Sequence, residues 1–404
     1  MKKNKILIVS HAMEIGGAEK ALLGILENID TNKYQVDLFL LRHEGELLKH
    51  IPTNINLLPI IPRYTVLARP MVVTLREGHI LLTVARLYGK YKARKFVKKH
   101  RLKDNGVEIE YSHKYTKAFM PKIQQDIEYD LAISFLTPHY FVTEKVRAKK
   151  KIAWIHTDYQ AVQVDAKSEL KMWEPYDYIA SISNDVTKSF LKIFPVLKEK
   201  IVLIENILPQ KLIEQQSKEK IKEIFKNEDD VHLLSIGRFS YPKNFDNVPE
   251  ICRYINEQGI NAKWYIIGYG SDEELIRQKI RKFEMEDKVI LLGKKENPYP
   301  YIKACDIYVQ PSRYEGKCVA VREAQMLGKP VVITNYATAR SQLEDGVDGV
   351  IVPLDNKKCA EEILKLLQKM KQIKKLSDAC NERDYTNAQE IEKVYQLIKN
   401  KESE

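Results

Sequence analysis

The sequence lacks three features that mark specialised classes of protein. No stretch of its 404 residues approaches the roughly 20 consecutive apolar residues that span a bilayer. The apolar run 6–9 near the N-terminus is too short for a signal peptide. The five cysteines are irregularly spaced without a Cys-x-x-Cys pair, which argues against a disulfide framework and a cysteine zinc site. We therefore expect a soluble, cytoplasmic protein with reduced thiols.

Basic charge is concentrated in the first half of the chain. Residues 1–200 contain 33 Lys and Arg against 22 Asp and Glu, whereas residues 201–404 contain 33 of each. The segment 86–103 alone has nine basic residues and no acid, interleaved with apolar and aromatic residues. This pattern favours a helix on an anionic membrane surface. A solvated helix face and a nucleic-acid surface are the alternatives.

Short apolar runs alternate with helical patterns from end to end, which predicts βαβ units around buried parallel sheets. The predicted strands are 6–10, 36–41, 130–135, 152–155, 178–183, 201–205, 232–237, 263–268, 289–293, 306–310 and 330–334. The charged stretch 210–230 has no such run and indicates a joint between two halves. We predict an α/β protein with two doubly wound, Rossmann-like domains, residues 1–207 and 208–384, facing across a cleft. A C-terminal helix within 385–404 is expected to cross back to the first domain.

Three loops contain residues suited to binding an anion or a sugar. Gly16 and Gly17 lie between a strand and a helix, where backbone N–H groups can approach an anion; a tight turn without a ligand is the alternative. Arg238 and Lys243 follow a strand and a Gly turn, as a diphosphate clamp would, although two solvated surface cations are the alternative.

The third loop lies in the segment 310–324, which reads QPSRYEGKCVAVREA. Glu315 precedes the predicted helix, and Glu323 lies eight residues further on, within it. Two carboxylates could accept hydrogen bonds from sugar and ribose hydroxyls. The N–H groups of Gly316, Lys317, Cys318 and Val319 would form an anion cradle at the helix N-terminus. Taken alone, two glutamates at this spacing are common and carry little information.

These loops occur in an order that resembles family four of the glycosyltransferases, the retaining group with the GT-B fold. The matching elements are Gly-Gly-Ala-Glu at 16–19, the Arg238 and Lys243 pair, Pro-Ser-x-x-Glu-Gly at 311–316 with the second glutamate, and Gly-Lys-Pro-Val-Val at 328–332. Trp-Ile-His at 154–156 and Gly-Tyr-Gly at 268–270 also match. The likeness is fuller in the second half of the chain.

The resemblance implies a role for each matching residue. The first domain would bind the acceptor and the second the nucleotide-sugar donor. Arg238 and Lys243 would neutralise the diphosphate, Glu323 would hold the ribose, and Glu315 would hold the donor sugar. His156 would contact the sugar, with a structural histidine as the alternative. The remaining predicted donor-binding residues are Gly16, Gly17, Gly268, Lys294, Gly316, Lys317, Cys318 and Val319.

The resemblance also implies a mechanism, in which the acceptor hydroxyl attacks the face from which the nucleoside diphosphate leaves. Catalysis would then depend on electrostatic stabilisation of the leaving group. We expect no cofactor and no metal, since the sequence has no Asp-x-Asp motif. Lys317 and Cys318, and the loop 336–341, depart from the usual pattern and leave the donor sugar open.

We therefore expect a retaining, metal-independent hexosyltransferase of polysaccharide biosynthesis. The donor would be a nucleotide-diphosphate sugar, most simply a UDP-sugar, and the acceptor a lipid-linked or cell-surface glycan. The enzyme would lie peripherally at the inner face of the cell membrane, docked through residues 86–103, and we do not expect it to bind nucleic acid. The alternatives are a nucleotide-sugar epimerase of GT-B fold, a non-catalytic partner subunit that binds glycan or nucleic acid, and a DNA glucosylating enzyme.

Overall fold

Parallel strands and intervening helices extend through the whole chain. The structure, a computed structural model, describes residues 3–102, 106–136, 139–157, 159, 162–221 and 230–399. By its contacts the chain divides into unit 1, residues 1–208 with 387–404, and unit 2, residues 209–386. The predicted boundary after residue 207 lies one residue from this division. Parts of the predicted joint and C-terminal segment, 222–229 and 400–404, lie outside the described residues, as does Lys103 of the basic segment.

Unit 1 is built on a parallel sheet with strand order β3-β2-β1-β4-β5-β6-β7 among its described residues. The strands are β1 Asn4–Ser10, β2 Tyr34–Leu40, β3 Asn56–Leu57, β4 Tyr129–Ser134, β5 Ala148–Ile155, β6 Tyr178–Ser181 and β7 Ile201–Leu203. The helices are α1 Gly17–Asn28, α2 Pro62–Thr65, α3 Met71–Arg76, α4 Ile80–His100, α5 Gly106–Thr116, α6 Tyr140–Lys145, α7 Ala166–Trp173 and α8 Asn184–Ile193.

Unit 2 contains a second parallel sheet, with strand order β10-β9-β8-β11-β12-β13 in the part that is described. The strands are β8 Val231–Ile236, β9 Ala262–Ile267, β10 Val289–Gly293, β11 Ile307–Gln310, β12 Val331–Thr334 and β13 Val350–Val352. The helices are α9 Gln210–Gln216, α10 Val248–Glu257, α11 Glu273–Lys282, α12 Tyr299–Ala304, α13 Val319–Met326, α14 Ala339–Gln342, α15 Asn356–Leu367 and α16 Met370–Glu382.

The last helix, α17 Ile391–Lys399, packs on unit 1. The rings of Tyr395 and Tyr34 stack with centroids 4.4 Å apart, and the Asp30 N–H donates a hydrogen bond of 2.7 Å to the Tyr395 hydroxyl. Closer to the start of α17, Glu390 Oε2 accepts a hydrogen bond from the Glu205 N–H at 2.9 Å. The C-terminal segment therefore contributes aromatic packing and hydrogen bonds to unit 1.

The prediction of two Rossmann-like units is confirmed. Each predicted strand corresponds to an observed one, because continuous apolar runs in a doubly covered sheet are buried on both faces. The edge strands β3 and β13 were not predicted. They have only two and three residues.

Helix α4, which contains most of the basic segment, has two different faces. One face packs on α5, where Phe96 and Val97 contact the cluster of Ala93, Val107 and Tyr111. The other face is exposed. Phe96 and Val97 therefore belong to the packed face, and only part of the predicted apolar and basic pattern is directed toward solvent.

The ends of β8 and β9 approach each other so closely that one position requires glycine. A Cβ atom on Gly268 would lie 1.8 Å from the carbonyl oxygen of Gly237, and the Gly237 N–H donates to the Ile267 carbonyl at 3.0 Å. Because the obstructing atom is backbone, a side chain at position 268 would displace the loop after β8. The same loop contains Arg238.

We predict that Gly268→Ala lowers the free energy of unfolding of unit 2 by about 3 kcal/mol, since overpacking against backbone forces the strands apart. Gly293→Ala is the matched control, because a Cβ there meets no atom within 4 Å and only its φ of 68° is unfavourable. That control should cost about 1 kcal/mol. Urea denaturation measures both variants, and equal losses would contradict the proposed steric cause.

Candidate active site

The predicted residues of unit 2 meet at one edge of its sheet. Arg238 follows β8, Gly268 follows β9, Lys294 follows β10, and Glu315 lies in the loop after β11. In the sheet these four strands are neighbours in the order β10-β9-β8-β11, and all run parallel. Their carboxyl ends therefore bring the four positions to the same edge, where α/β sheets usually bind ligands.

An ion pair joins two of the predicted residues. Lys243 Nζ lies 2.5 Å from Glu315 Oε1, and the two side chains are 20% and 12% exposed. Burial disfavours the Lys243 charge, but the neighbouring Cys318 and Glu315 side chains outweigh it, so that the pKa of Lys243 is raised. The lysine is therefore cationic at neutral pH, and Glu315 holds the charge in a fixed place.

A chain of buried hydroxyl and amide groups orients the Glu315 carboxylate. Ser312 Oγ donates to Glu315 Oε1 at 2.7 Å, and Gln310 Nε2 donates to Ser312 Oγ at 2.9 Å. Behind them, the Tyr308 hydroxyl donates to Gln310 Oε1 at 2.8 Å. Each buried polar atom in this chain is matched, which fixes one rotamer of Glu315.

The loop 315–318 is also held by two residues near position 340. Thr338 lies in the segment 336–341, which departs from the family pattern, and Gln342 directly follows that segment. Thr338 Oγ1 donates to the Glu315 carbonyl at 2.7 Å, and the Cys318 N–H donates to Gln342 Oε1 at 2.7 Å. We expected the N–H groups of 316–319 to form an anion cradle. At Cys318 this expectation does not hold, because the Gln342 amide already occupies that N–H.

Glu323 is buried in α13 and is bound by a tyrosine. Its side chain is 5% exposed, and Tyr299 donates a hydrogen bond of 2.7 Å from its hydroxyl to Glu323 Oε1. Burial and the adjacent carboxylate raise the pKa of Tyr299 well above its ordinary value, so the hydroxyl stays protonated and remains a donor.

The remaining predicted cations are more exposed. The Arg238 side chain is exposed, and no ion pair engages its guanidinium among the residues that the structure describes. Lys294 Nζ lies 5.8 Å from the ring centroid of the exposed Tyr269. Gly316, Lys317 and Val319 are exposed as well. These groups are accessible to a ligand from solvent.

Several residues that hold the loops of the site together were not predicted from the sequence. Arg313 makes a bidentate contact with Asp246 at 2.9 and 2.8 Å and lies over the Tyr241 ring at 4.3 Å. Asn244 Nδ2 donates to the Pro311 carbonyl at 2.8 Å. These contacts tie the loop after β8 to the loop after β11. The partners are 67 or more residues apart, so no local spacing could have indicated them.

In unit 1, the glycine loop opens helix α1, and an acidic side chain covers the opening. A Cβ on Gly16 would lie 2.1 Å from Glu19 Oε2, whereas a Cβ on Gly17 would meet nothing within 4 Å. Burial raises the pKa of Glu19, although the carboxylate also accepts a hydrogen bond from its own backbone N–H. A carboxyl group therefore already satisfies part of the helix N-terminus.

His156 lies just after β5, packed among aromatic rings. Its ring centroid is 4.5 Å from that of Phe135, and its ring is nearly parallel to that of Trp154. Burial lowers the pKa of His156 to about 4, so the imidazole is neutral at physiological pH. Its Nε2 is buried without a hydrogen-bond partner among the described residues. A neutral histidine can contact a sugar but brings no positive charge.

Three other histidines of unit 1, which are His11, His113 and His139, were not predicted as site residues. His139 Nδ1 shares a hydrogen bond of 2.8 Å with Ser134 Oγ, and the rings of His11 and His113 lie 6.1 Å apart. Burial, together with the neighbouring His156 and His11, lowers the pKa of His139 to about 3. Within the described residues, no group of three or more His, Cys, Asp or Glu side chains is placed to hold a metal ion.

Comparison with known proteins identifies a family for the second unit. Residues 216–385 match the family model "Glycosyl transferases group 1". A Campylobacter jejuni protein, N-acetylgalactosamine-N,N'-diacetylbacillosaminyl-diphospho-undecaprenol 4-alpha-N-acetylgalactosaminyltransferase, is 26% identical over 54% of this chain and 57% of its own length. The amylovoran biosynthesis glycosyltransferase AmsK of Erwinia amylovora is 32% identical over 30% of this chain and 32% of its own length. The matches thus span about one third to three fifths of these relatives.

Solved structures share the fold over nearly the whole chain. A glycosyltransferase from Rickettsia africae superposes with a TM-score of 0.61 at 14% identity, covering 100% of both chains. Anabaena Alr3699/HepE in complex with UDP and glucose gives 0.61 at 14% identity, covering 98% of this chain and 100% of its own. These neighbours are GT-B glycosyltransferases. The similarity to the glycosyl transferases group 1 family thus covers residues 216–385, which lie within unit 2.

Proposed function

We propose that the protein is a retaining glycosyltransferase that moves a sugar from a UDP-sugar to a hydroxyl of a lipid-linked or cell-surface glycan. The observation that carries the proposal is the convergence of Arg238, Lys243, Glu315 and Glu323 at the carboxyl edge of a group 1 domain. The cations for a diphosphate and the Glu315 carboxylate lie in the segments that follow β8 and β11, and Glu323 lies on α13, the helix after the Glu315 loop. UDP as the nucleotide is supported by the HepE structures, which contain it.

The proposed chemistry relies on stabilising the departing nucleoside diphosphate. Arg238 is exposed and unpaired among the described residues, so it can contact phosphate oxygens directly. Lys243 is held by Glu315 and supplies a second, fixed positive charge. Charges fixed before the reaction cost no reorganisation when the negative charge develops. The acceptor hydroxyl would attack on the same face and pass its proton to a phosphate oxygen of the leaving group.

Carboxylates select the hydroxyl groups in this account. Glu315 Oε1 is occupied by Lys243 and Ser312, which leaves Oε2 for hydroxyl groups of the donor sugar. The Glu323 carboxylate, oriented by the hydrogen bond from Tyr299, would accept the ribose hydroxyls. Hydrogen bonds to charged groups contribute about 1.5–3 kcal/mol each. His156, being neutral, would contact the sugar without opposing positive charge on the reacting carbon.

The acceptor side of the proposal is supported by the relatives' names and by α4. The C. jejuni relative is named for a diphospho-undecaprenol substrate, which is lipid-linked, and the E. amylovora relative for amylovoran biosynthesis. Among the described helices, none contains a stretch apolar enough to cross a bilayer. We therefore propose peripheral docking at the inner face of the cell membrane.

The exposed face of α4 suits such docking. Its first half presents apolar side chains, which are Ile80, Leu81, Val84, Leu87, Tyr88 and Tyr91. Its second half presents exposed cations, which are Arg94, Lys95, Lys98 and Lys99. Positions three and four apart share a helix face, so apolar and basic groups lie on the same side. Apolar groups could enter the headgroup region while the cations contact anionic lipids.

Not every cation of the segment is available for lipid. Arg86 donates to the Val66 and Arg69 carbonyls at 2.6 and 2.8 Å, and burial lowers its pKa. Lys90 lies 3.0 Å from Glu108 in an ion pair. The surface proposed for lipid is therefore the part of α4 from Arg94 to its C-terminus, together with the apolar half before it.

We predict that Arg238→Ala reduces donor turnover about 100-fold to 1,000-fold, because one electrostatic stabiliser of the leaving group is lost. The matched control is Arg253→Ala, which removes a surface arginine from α10 of the same unit. Steady-state release of nucleoside diphosphate measures both, with circular dichroism to confirm folding. Near-normal turnover in Arg238→Ala would contradict the assignment, and donor isomerisation without an acceptor would indicate an epimerase instead.

We predict that reversing the charge of Lys95, Lys98 and Lys99 to Glu weakens binding to vesicles containing phosphatidylglycerol by at least about 100-fold. Each basic residue near an anionic surface contributes about 1 kcal/mol. Lys371, Lys374 and Lys375, exposed on α16, give a control with the same change in net charge. Cosedimentation measures both triple variants. If the α4 triple binds as the wild type does, or if the two triples lose equally, the docking surface is wrong.

A further inference from the structure

Unit 1 contains a pocket of about 130 Å³ that the predicted site residues do not line. It lies among α5, the loop after β5 and α7. Its lining residues are Gly106, Ile109, Glu110, His113, Thr157, Tyr159, Val162, Val164, Glu169 and Met172. Ile109 and Thr157 are exposed, so the pocket opens to the surface.

Two polar atoms in the pocket wall lack partners. Glu110 is 6% exposed and His113 is 4% exposed, and both line the pocket from α5. Glu110 Oε1 accepts from Ser168 Oγ at 2.8 Å and from the Tyr140 hydroxyl. Glu110 Oε2 and His113 Nδ1 are buried with no hydrogen-bond partner among the described residues. A buried polar atom without a partner costs about 1–3 kcal/mol, which a ligand can recover.

The other carboxyl group of the pocket is already matched. Tyr159 donates to Glu169 Oε2 at 2.9 Å from its hydroxyl. Burial raises the pKa of Glu169 to about 7, with Glu110 and Asp165 adding to the shift. The unmet hydrogen-bonding capacity therefore lies at Glu110 and His113, three residues apart on one helix.

The imidazole of His113 is neutral. Burial, followed by the charges of His11, Arg86 and His139, lowers the pKa of His113 well below its ordinary value. A neutral imidazole has one N–H, which can be at Nδ1 and donate to a carbonyl oxygen. Glu110 Oε2 offers the complementary acceptor. Glu110 Oε2 and His113 Nδ1 together can bind a ligand group that has one hydrogen-bond donor and one acceptor.

Apart from the exposed Thr157 and the hydrogen-bonded pair Tyr159 and Glu169, the rest of the pocket is lined by apolar groups. Ile109, Val162, Val164 and Met172 supply the apolar wall. A single hydroxyl could pair with Glu110 Oε2 and His113 Nδ1, but it has no apolar group to cover the aliphatic wall, and further hydroxyl groups against that wall would be desolvated without partners, which is unfavourable. At about 130 Å³, the pocket is comparable in size to cavities that hold a benzene-sized group, so it has room for a substituent of a sugar but not for a whole monosaccharide.

We propose that this pocket binds the acetamido group of an N-acetylated acceptor sugar. The N–H would donate to Glu110, the carbonyl would accept from His113, and the methyl would lie against the apolar wall. An acetamido group has four heavy atoms, one donor, one acceptor and one methyl, which matches each feature of the pocket. The inference rests on the proposed function, because it names the class of acceptor.

The test is a calorimetric titration of the full chain with methyl N-acetylglucosaminide, methyl N-acetylgalactosaminide and methyl glucoside. We expect at least one acetamido glycoside to bind at least about tenfold more tightly than methyl glucoside. Glu110→Gln should remove this preference. Ser168 and Tyr140 would hold the Gln oxygen, so its amide nitrogen would face the ligand N–H donor.

Ile109→Trp gives a second variant that does not disturb the core, because Ile109 is 56% exposed. The larger ring should block the pocket and weaken acetamido glycoside binding at least about tenfold. Val196→Trp is the matched control, since Val196 is 71% exposed in unit 1 and does not line the pocket. Equal melting temperatures show that the variants are folded.

The outcomes separate the pocket from the catalytic proposal. Equal binding of the acetamido glycosides and methyl glucoside, no binding of any of them, or unchanged binding in Ile109→Trp would overturn the pocket assignment. UDP-N-acetylglucosamine is titrated as well. If Ile109→Trp weakens the binding of this donor alone, the pocket binds the donor and the acceptor assignment is wrong. UDP binding is measured in parallel. If it persists while the acetamido preference is absent, only the pocket inference fails.

Discussion

The ion pair between Lys243 and Glu315 is the interaction on which the geometry of the unit 2 site depends. Neither group could be buried alone without a large desolvation cost, and together they fix the loop after β8 against the loop after β11. The chain through Ser312 sets the carboxylate rotamer, and Thr338 holds the backbone of the same residue. The cation proposed for phosphate and the carboxylate proposed for sugar are therefore positioned by one contact. Loss of either partner would be expected to change both functions together.

The two units differ in the charge of the ionisable side chains at their candidate binding sites. At the edge of unit 2, charged groups are either paired or exposed, so positive charge is available where a diphosphate would bind. In unit 1, burial keeps His113, His139 and His156 neutral. Neutral rings and carboxyl oxygens suit the uncharged hydroxyl and amide groups of a glycan. This difference supports the proposal that unit 2 binds the donor and unit 1 the acceptor.

The sequence predicted the fold and the positions of the candidate residues at one sheet edge, because both depend on local patterns. Apolar runs marked the strands, and parallel strands place Arg238 and Glu315 at one edge without further information. The supporting contacts could not be predicted, since Gln342 reaches Cys318 and Asp246 reaches Arg313 only in the folded chain. The pocket beside Glu110 contains no sequence motif. Its binding preference depends on Glu110 Oε2 lacking a hydrogen-bond partner, which only the folded structure shows. The expected N–H cradle failed at Cys318 for the same reason, because a side chain distant in sequence occupies the donor.

The most direct test of the central claim is calorimetric titration of the wild-type protein with UDP, GDP, ADP and CDP in the presence of EDTA. We predict that UDP binds without added metal, because Arg238 and Lys243 would supply the charge that a divalent ion would otherwise provide. A ligand at about 100 times its dissociation constant stabilises the fold by roughly 2.7 kcal/mol, so a melting curve gives an independent readout. Binding of none of the four, or binding only when Mg²⁺ or Mn²⁺ is restored, would contradict the account.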